Sequence, residues 1–175
     1  MKLDAKQLRV TKPTEDQLAK LNRKPLYIVL DNVLDTYNIG SIFRLADAVG
    51  AMEVILCGGS ETPPNSRIHK AAVGTEEWVK WRYFKTAADF LKDFEGKIIV
   101  VEQDERSTKI SNFKFSISNS QPVAVVVGHE TAGVSQEALN IADVIVEIPM
   151  LGINKSLNVH VSAAIVIYWI TNLIL

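Results

Sequence analysis

LYIVLDNVLDTYNIGSIFRLADAVGAMEVILC, residues Leu26 to Cys57, decides the fold class. It opens with an apolar strand, Leu26 to Leu30, and runs into a polar loop. Asn38 then starts a helix that reaches Val49 and carries Arg44 on its second turn. A second apolar strand, Val54–Cys57, follows. Strands that are apolar on both faces, with a helix between them, are the signature of a parallel sheet covered on both sides. The alternation continues along the chain. Further strands are expected at Ile98–Val101, Val123–Val127 and Val144–Ile148, and further helices at Arg67–Val73, Thr86–Asp93, Ser135–Ile141 and Ser156–Leu173. The chain therefore reads as α/β, a parallel sheet with helices on both faces. Residues 58–67 (GGSETPPNSR) form a loop, because Pro63-Pro64 bars helix.

Composition sets the outer bounds. A chain of 175 residues, 47% hydrophobic and 22% charged, suits one domain with a sizeable core. One cysteine, Cys57, makes neither an intrachain disulfide nor a metal cluster and reads as a small buried hydrophobe. The N-terminus lacks an apolar signal run, so a reducing, cytoplasmic setting is the expectation. Val159 to Leu175 is apolar but is broken by His160, Ser162, Thr171 and Asn172. A membrane span needs about 20 mostly apolar residues, so this segment reads as a helix buried in a core or a subunit interface.

Net charge is −1, but it is unevenly spread. Residues 1–25 carry a net +4 and the remainder a net −5. The first 25 residues read as a basic helical extension, with a helix start at Pro13-Thr14 and Gln17 three residues on. Residues 26–175 form the main domain. A basic arm is compatible with phosphate contacts and equally with a solvated amphipathic helix. The stretch Arg67, His69, Lys70, Lys80, Arg82 and Lys85, with Trp78 and Trp81, could touch RNA or supply core tryptophans.

Three segments carry chemistry. The first holds Asn38, Ile39-Gly40 and Arg44. The second, VVVGHETAGVS (Val125 to Ser135), stops an apolar strand at Gly128 and places Glu130 before a second glycine, Gly133. The third, IPMLGINKSLNVHVSAAIVIYW (Ile148 to Trp169), joins a polar loop to a long apolar helix. Such a loop offers many backbone N–H and C=O groups to a ligand. The residues also have plain structural readings. Asn38 and Ser156 could be helix caps, Arg44 could pair with Asp47, Glu130 could be an exposed acid near a helix start, and the glycines could simply permit turns.

In this order the three segments resemble the motifs of the SpoU (TrmH-like) RNA ribose 2′-O-methyltransferases of the SPOUT superfamily, over about residues 26 to 170. The resemblance implies an α/β knot, a deep trefoil in the chain from roughly Val123 onward. It implies S-adenosyl-L-methionine as cofactor, with no metal, and a homodimer in which Arg44 reaches across to the cofactor of the other subunit. It implies catalytic roles for Asn38, Arg44, Glu130, Ser156 and Asn158, and cofactor contacts at Gly128, Ile148, Met150, Gly152 and Leu157, largely through backbone groups. Asn38 would orient Arg44 or the ribose, and Glu130 would face the substrate or orient the arginine. The substrate would be RNA, with transfer RNA favoured over ribosomal RNA. His160 departs from the family, where a small residue is common; it reads as a satisfied interface histidine or a second proton acceptor. The rival from another class is a non-catalytic RNA-binding protein on the same fold. An ordinary nucleotide-binding α/β enzyme is disfavoured, because DNVLDTYNIGS after the first strand has no GxGxxG pattern.

Overall fold

The computed structural model describes residues 2–113 and 121–174, with side chains as far as Thr171. Residues 114–120 and Leu175, within the expected 26–175 domain, lie outside the described residues, and the expected helix end at Leu173 is described by backbone alone.

Two short helices come first, α1 (Ala5–Val10) and α2 (Glu15–Ala19). α2 starts as expected, with Thr14 and Gln17 exchanging cap hydrogen bonds. There follow β1 (Lys24–Asp31), α3 (Thr36–Val49), β2 (Ala51–Cys57), α4 (Ser66–Ala72), β3 (Lys80–Phe84), α5 (Ala87–Leu91), β4 (Lys97–Val101), β5 (Thr108–Lys109), β6 (Val123–Gly128), α6 (Gln136–Ile141), β7 (Val144–Glu147) and α7 (Val159–Ile174). The strands lie in the order β3-β2-β1-β6-β4-β7-β5, and every neighbouring pair is parallel. β6, late in the chain, is inserted between β1 and β4.

Side chains alternate between two cores, as strand geometry requires. Ile28, Leu30, Val125 and Val127 face a layer formed by α3, α4 and α7, through residues such as Phe43, Ile68 and Ile167. Val29, Ala124 and Val126 face α5 and α6, through Leu91, Phe90 and Leu139. The continuous apolar runs read from the sequence are thus strands buried on both faces.

β3 and β5 are absent from the expected set. Lys80–Phe84 mixes cations and aromatics because it is an edge strand with exposed positions. Two expected helix starts also move. Asp35, not Asn38, caps α3, its side chain accepting from the Tyr37 N–H. Asn158, not Ser156, stands before α7, and its Oδ1 accepts the His160 N–H at 3.0 Å. Cys57 is fully buried; burial and then the nearby Asp31 and Asp89 carboxylates push its thiol up to about 12, so it is an inert core residue. No described helix is long and apolar enough to cross a membrane.

Candidate active site

β4, β6 and β7 end side by side, and the loops that leave their carboxyl ends enclose a cleft of about 530 Å³. Parallel α/β sheets bind ligands at this end of their strands. Seven of the ten expected site residues line the cleft: Gly128, Glu130, Ile148, Met150, Ser156, Leu157 and Asn158. Asn38, Arg44 and Gly152 do not.

The wall that follows β6 is tightly made. His129 and Gly133 exchange two backbone hydrogen bonds, 3.0 and 2.9 Å, closing a turn. The His129 ring folds over that turn, Nδ1 accepting from the Thr131 and Ala132 N–H groups at 2.9 and 3.1 Å. Gly133 holds φ near +73°, and a Cβ there would strike Glu102 Oε2. A Cβ on Gly128 would lie 2.3 Å from the Gly133 carbonyl carbon. Gly128 is therefore a glycine because the chain folds back onto it. Glu102 Oε2 accepts the Val134 N–H at 2.9 Å, and the buried Asp31 accepts the Ser135 N–H at 2.8 Å.

Glu130 is tied to the start of α3. Oε1 accepts from Asn38 Nδ2 at 3.0 Å and from the Asp35 N–H at 3.1 Å, and Oε2 accepts from the Leu34 N–H at 3.2 Å. Partial burial pushes this carboxyl upward, but the bonds from Asn38 and the backbone together outweigh it, leaving the pKa lowered. Glu130 is thus no idle surface acid. Asn38 is buried and reaches a third element: its Oδ1 lies 3.2 Å from His160 Nδ1 on α7. A bonded chain, Glu130–Asn38–His160, joins one residue from each of the three segments.

Arg44 is exposed on α3 and makes no hydrogen bond or ion pair among the described residues. Its suggested partner Asp47 instead accepts from Arg23 at 3.2 Å. The basic-aromatic stretch divides. Arg82 forms a two-pronged pair with Glu53, at 2.8 and 2.7 Å, and Trp78 is buried, while Arg67, Lys70 and Lys80 remain exposed. Gly152 is exposed, and a Cβ placed there would meet nothing within 4 Å, so neither a turn nor a close approach requires it.

The sequence reading missed Glu102, Gln103 and His129. Glu102 follows Val101 at a parallel strand's carboxyl end, and that position was the available signal. Gln103 Nε2 donates to the Lys155 carbonyl at 2.6 Å, the main tie on the loop after β7. No group of three or more histidine, cysteine, aspartate or glutamate side chains suited to a metal occurs among the described residues.

A parallel α/β domain with a ligand-sized cleft over its strand ends, braced by three separate segments, is an α/β small-molecule-binding fold. The SpoU rRNA Methylase family model matches residues 25–168, and the chain belongs to that family. It is 33% identical over 150 residues to the tRNA (guanosine(18)-2′-O)-methyltransferase of Escherichia coli K12, covering 83% of this chain and 63% of that protein. It is 31% identical over 158 residues to the enzyme of the same name from Thermus thermophilus, covering 87% of this chain and 77% of the other. Its fold matches the AdoMet-bound rRNA methyltransferase of Sinorhizobium meliloti with a TM-score of 0.78 at 26% identity, over 96% of this chain and 60% of that one. The chain spans less than two thirds of the length of the Escherichia coli relative.

Proposed function

We propose that this chain is an RNA ribose 2′-O-methyltransferase that uses S-adenosylmethionine. The observation that carries the reading is the Glu130–Asn38–His160 chain, which binds the three motif segments into one site beside the cleft. The cleft suits the cofactor. About 530 Å³ is a typical small-molecule volume. Glu102, Glu130 and Glu147 against Lys155 leave its lining net negative, which favours a ligand bearing a sulfonium and an ammonium. Gly128, Ile148, Met150 and Leu157 are the residues that would hold it, with Gly152 outside the wall. Bound there, S-adenosylmethionine would supply an electrophilic methyl group.

The chain's own residues supply the rest. Arg44, unpaired among the described residues and solvent-facing, is a permanent two-pronged cation suited to a ribose or its phosphate. We assign it to clamping and charge stabilisation, because a guanidinium is a poor base. Asn158, as the cap of α7, and Ser156 fix the loop edge of the cleft. Transfer RNA is the favoured substrate; the relatives include both tRNA and rRNA enzymes.

The same reading includes the deep trefoil knot from about Val123, a homodimer, a cytoplasmic setting and a division into a basic extension, 1–25, and a methyltransferase domain, 26–175. In favour of the dimer, Ile165, Tyr168 and Trp169 form an exposed apolar stripe on α7. In favour of an RNA-facing extension, Lys2, Lys6, Arg9, Lys12 and Lys20 are exposed.

Arg44→Ala tests the enzyme reading. It should cut methyl transfer to tRNA transcripts about a hundredfold or more while leaving S-adenosylmethionine affinity, measured by calorimetry, nearly unchanged. Arg44→Lys should restore little. Wild-type protein that binds no S-adenosylmethionine sinks the proposal. A chain that binds both cofactor and RNA and transfers nothing favours the non-catalytic RNA-binding protein.

A further inference from the structure

We infer that His160 Nε2 is the acceptor of the ribose 2′-hydroxyl proton. The inference rests on the methyltransferase reading above and adds to it a base better suited to the task than a guanidinium.

The bonding chain dictates the protonation of the ring. Glu130 is an ionised carboxylate and can only accept, so the group Asn38 turns toward it is its NH₂. The other end of the same amide, Oδ1, then faces His160 Nδ1 at 3.2 Å and can only accept. His160 must therefore donate from Nδ1–H. A neutral imidazole that carries its proton on Nδ1 has its lone pair on Nε2. Nε2 has no protein partner among the described residues, and the side chain is only half-buried. Asn158 and Val159 before His160 line the cleft, as does Ser162 after it, and His160 stands just outside that lining, turned toward Asn38.

The rival bases around the cleft are all committed. Glu130 accepts three hydrogen bonds and is held below its usual range. Glu102 is bonded to the N–H groups of Val134 and Gln103. Glu147 accepts from Ser107 Oγ at 2.9 Å. The chain has three histidines. The Nδ1 lone pair of His129 is occupied by two backbone N–H groups, so its proton is on Nε2. His69, on α4, is paired with Glu76 in the short turn that follows that helix, away from the cleft. Beside the cleft, His160 is the histidine left with an open acceptor.

In the proposed step the 2′-O–H bond breaks and an N–H bond forms at Nε2. The electron pair stays on the ribose oxygen; bound S-adenosylmethionine would supply the methyl group to it, the methyl–sulfur bond breaking and the sulfur leaving as a neutral thioether, and the imidazolium returns its proton to water. Glu130, acting through Asn38, stabilises that imidazolium. Other ionisable groups on the elements packed against α7 are Asp35 capping α3, Tyr37, Arg44 and Asp47 on that helix, Lys97 on β4 and His129 after β6. Among these, none is hydrogen-bonded to the ring.

The test uses His160→Asn, whose amide NH₂ can replace Nδ1–H toward Asn38 while Nε2 is lost. Two measurements are made on the full-length protein. First, ring ¹⁵N NMR of the free wild type should show His160 as the Nδ1–H tautomer. An Nε2–H tautomer overturns the inference. Second, single-turnover methyl transfer to unmodified tRNA or 23S rRNA transcripts is followed against pH. The wild-type rate should fall tenfold per pH unit on the acid side. His160→Asn should lower the rate about a hundredfold and remove that limb, with S-adenosylmethionine affinity and unfolding midpoint unchanged. A variant as fast as wild type, with the same acid limb, overturns the inference and leaves the enzyme reading intact. A wild type that transfers no methyl group overturns both.

Discussion

The loops after β6 and β7 wall one cleft and are held in opposite ways. The turn 129–133 satisfies itself: paired backbone groups, a histidine ring folded over it, a carboxylate from the end of β4 and two glycines with no room for a side chain. The stretch 149–157 has Gln103 as its long-range tie, and it holds Leu151 and Ile153 out almost fully exposed. One wall is built before any ligand arrives. The other has apolar side chains without cover and backbone groups to offer, which is what a surface completed by a cofactor or a second subunit looks like.

Breaking the first wall should have the largest effect. Gly128→Val forces a branched side chain into the backbone of 133–134; it should lower stability by about 1–3 kcal/mol in urea melts and abolish cofactor binding. If binding survives, the tight turn is not part of the site. Gln103→Ala should act on the second wall alone. It should weaken S-adenosylmethionine roughly tenfold, about the loss of one hydrogen bond, with the unfolding midpoint unmoved. A large loss of stability instead would show that this loop, too, is structural.

Glu130 sharpens the comparison through pH. Its folded pKa is lowered, so its contribution is present above the unfolded carboxylate value, roughly 4.3, and disappears as pH falls through the folded value. Glu130→Gln should thus reduce the melting temperature at neutral pH, and the gap to wild type should close in acid. A gap that persists at low pH means steric damage. The smallest effect belongs to Gly152→Ala, which should change stability by less than about 0.5 kcal/mol, because nothing surrounds that position. A larger loss would mean that the β7 loop is more tightly packed than its open surroundings indicate.

The sequence is most readable where a single period governs it. β1, β2, β4, β6 and β7 stand out by a continuous apolar segment within each, since burial on both faces leaves one pattern to see. β3 is hidden, because an exposed edge tolerates Lys80 and Arg82. Seven cleft residues are legible as glycines, apolar positions and polar groups next to strand ends. The expected helix starts at α3 and α7 fall on the wrong residues, because Asn38 and Ser156 are as plausible caps as Asp35 and Asn158. The partners of Asn38 lie 92 and 122 residues away, and no local pattern encodes such distances.

The placement of β6 between β1 and β4 has a consequence for how each molecule is made. Synthesis from the N-terminus produces β1 to β4 before β6 exists, and the two strands meant to flank it emerge with open hydrogen-bonding edges. The centre of the sheet is filled only after both of its flanking strands have been made. Until Val123–Gly128 arrives, the nascent chain carries a strand-shaped gap that a neighbouring chain's strand could occupy as readily as its own.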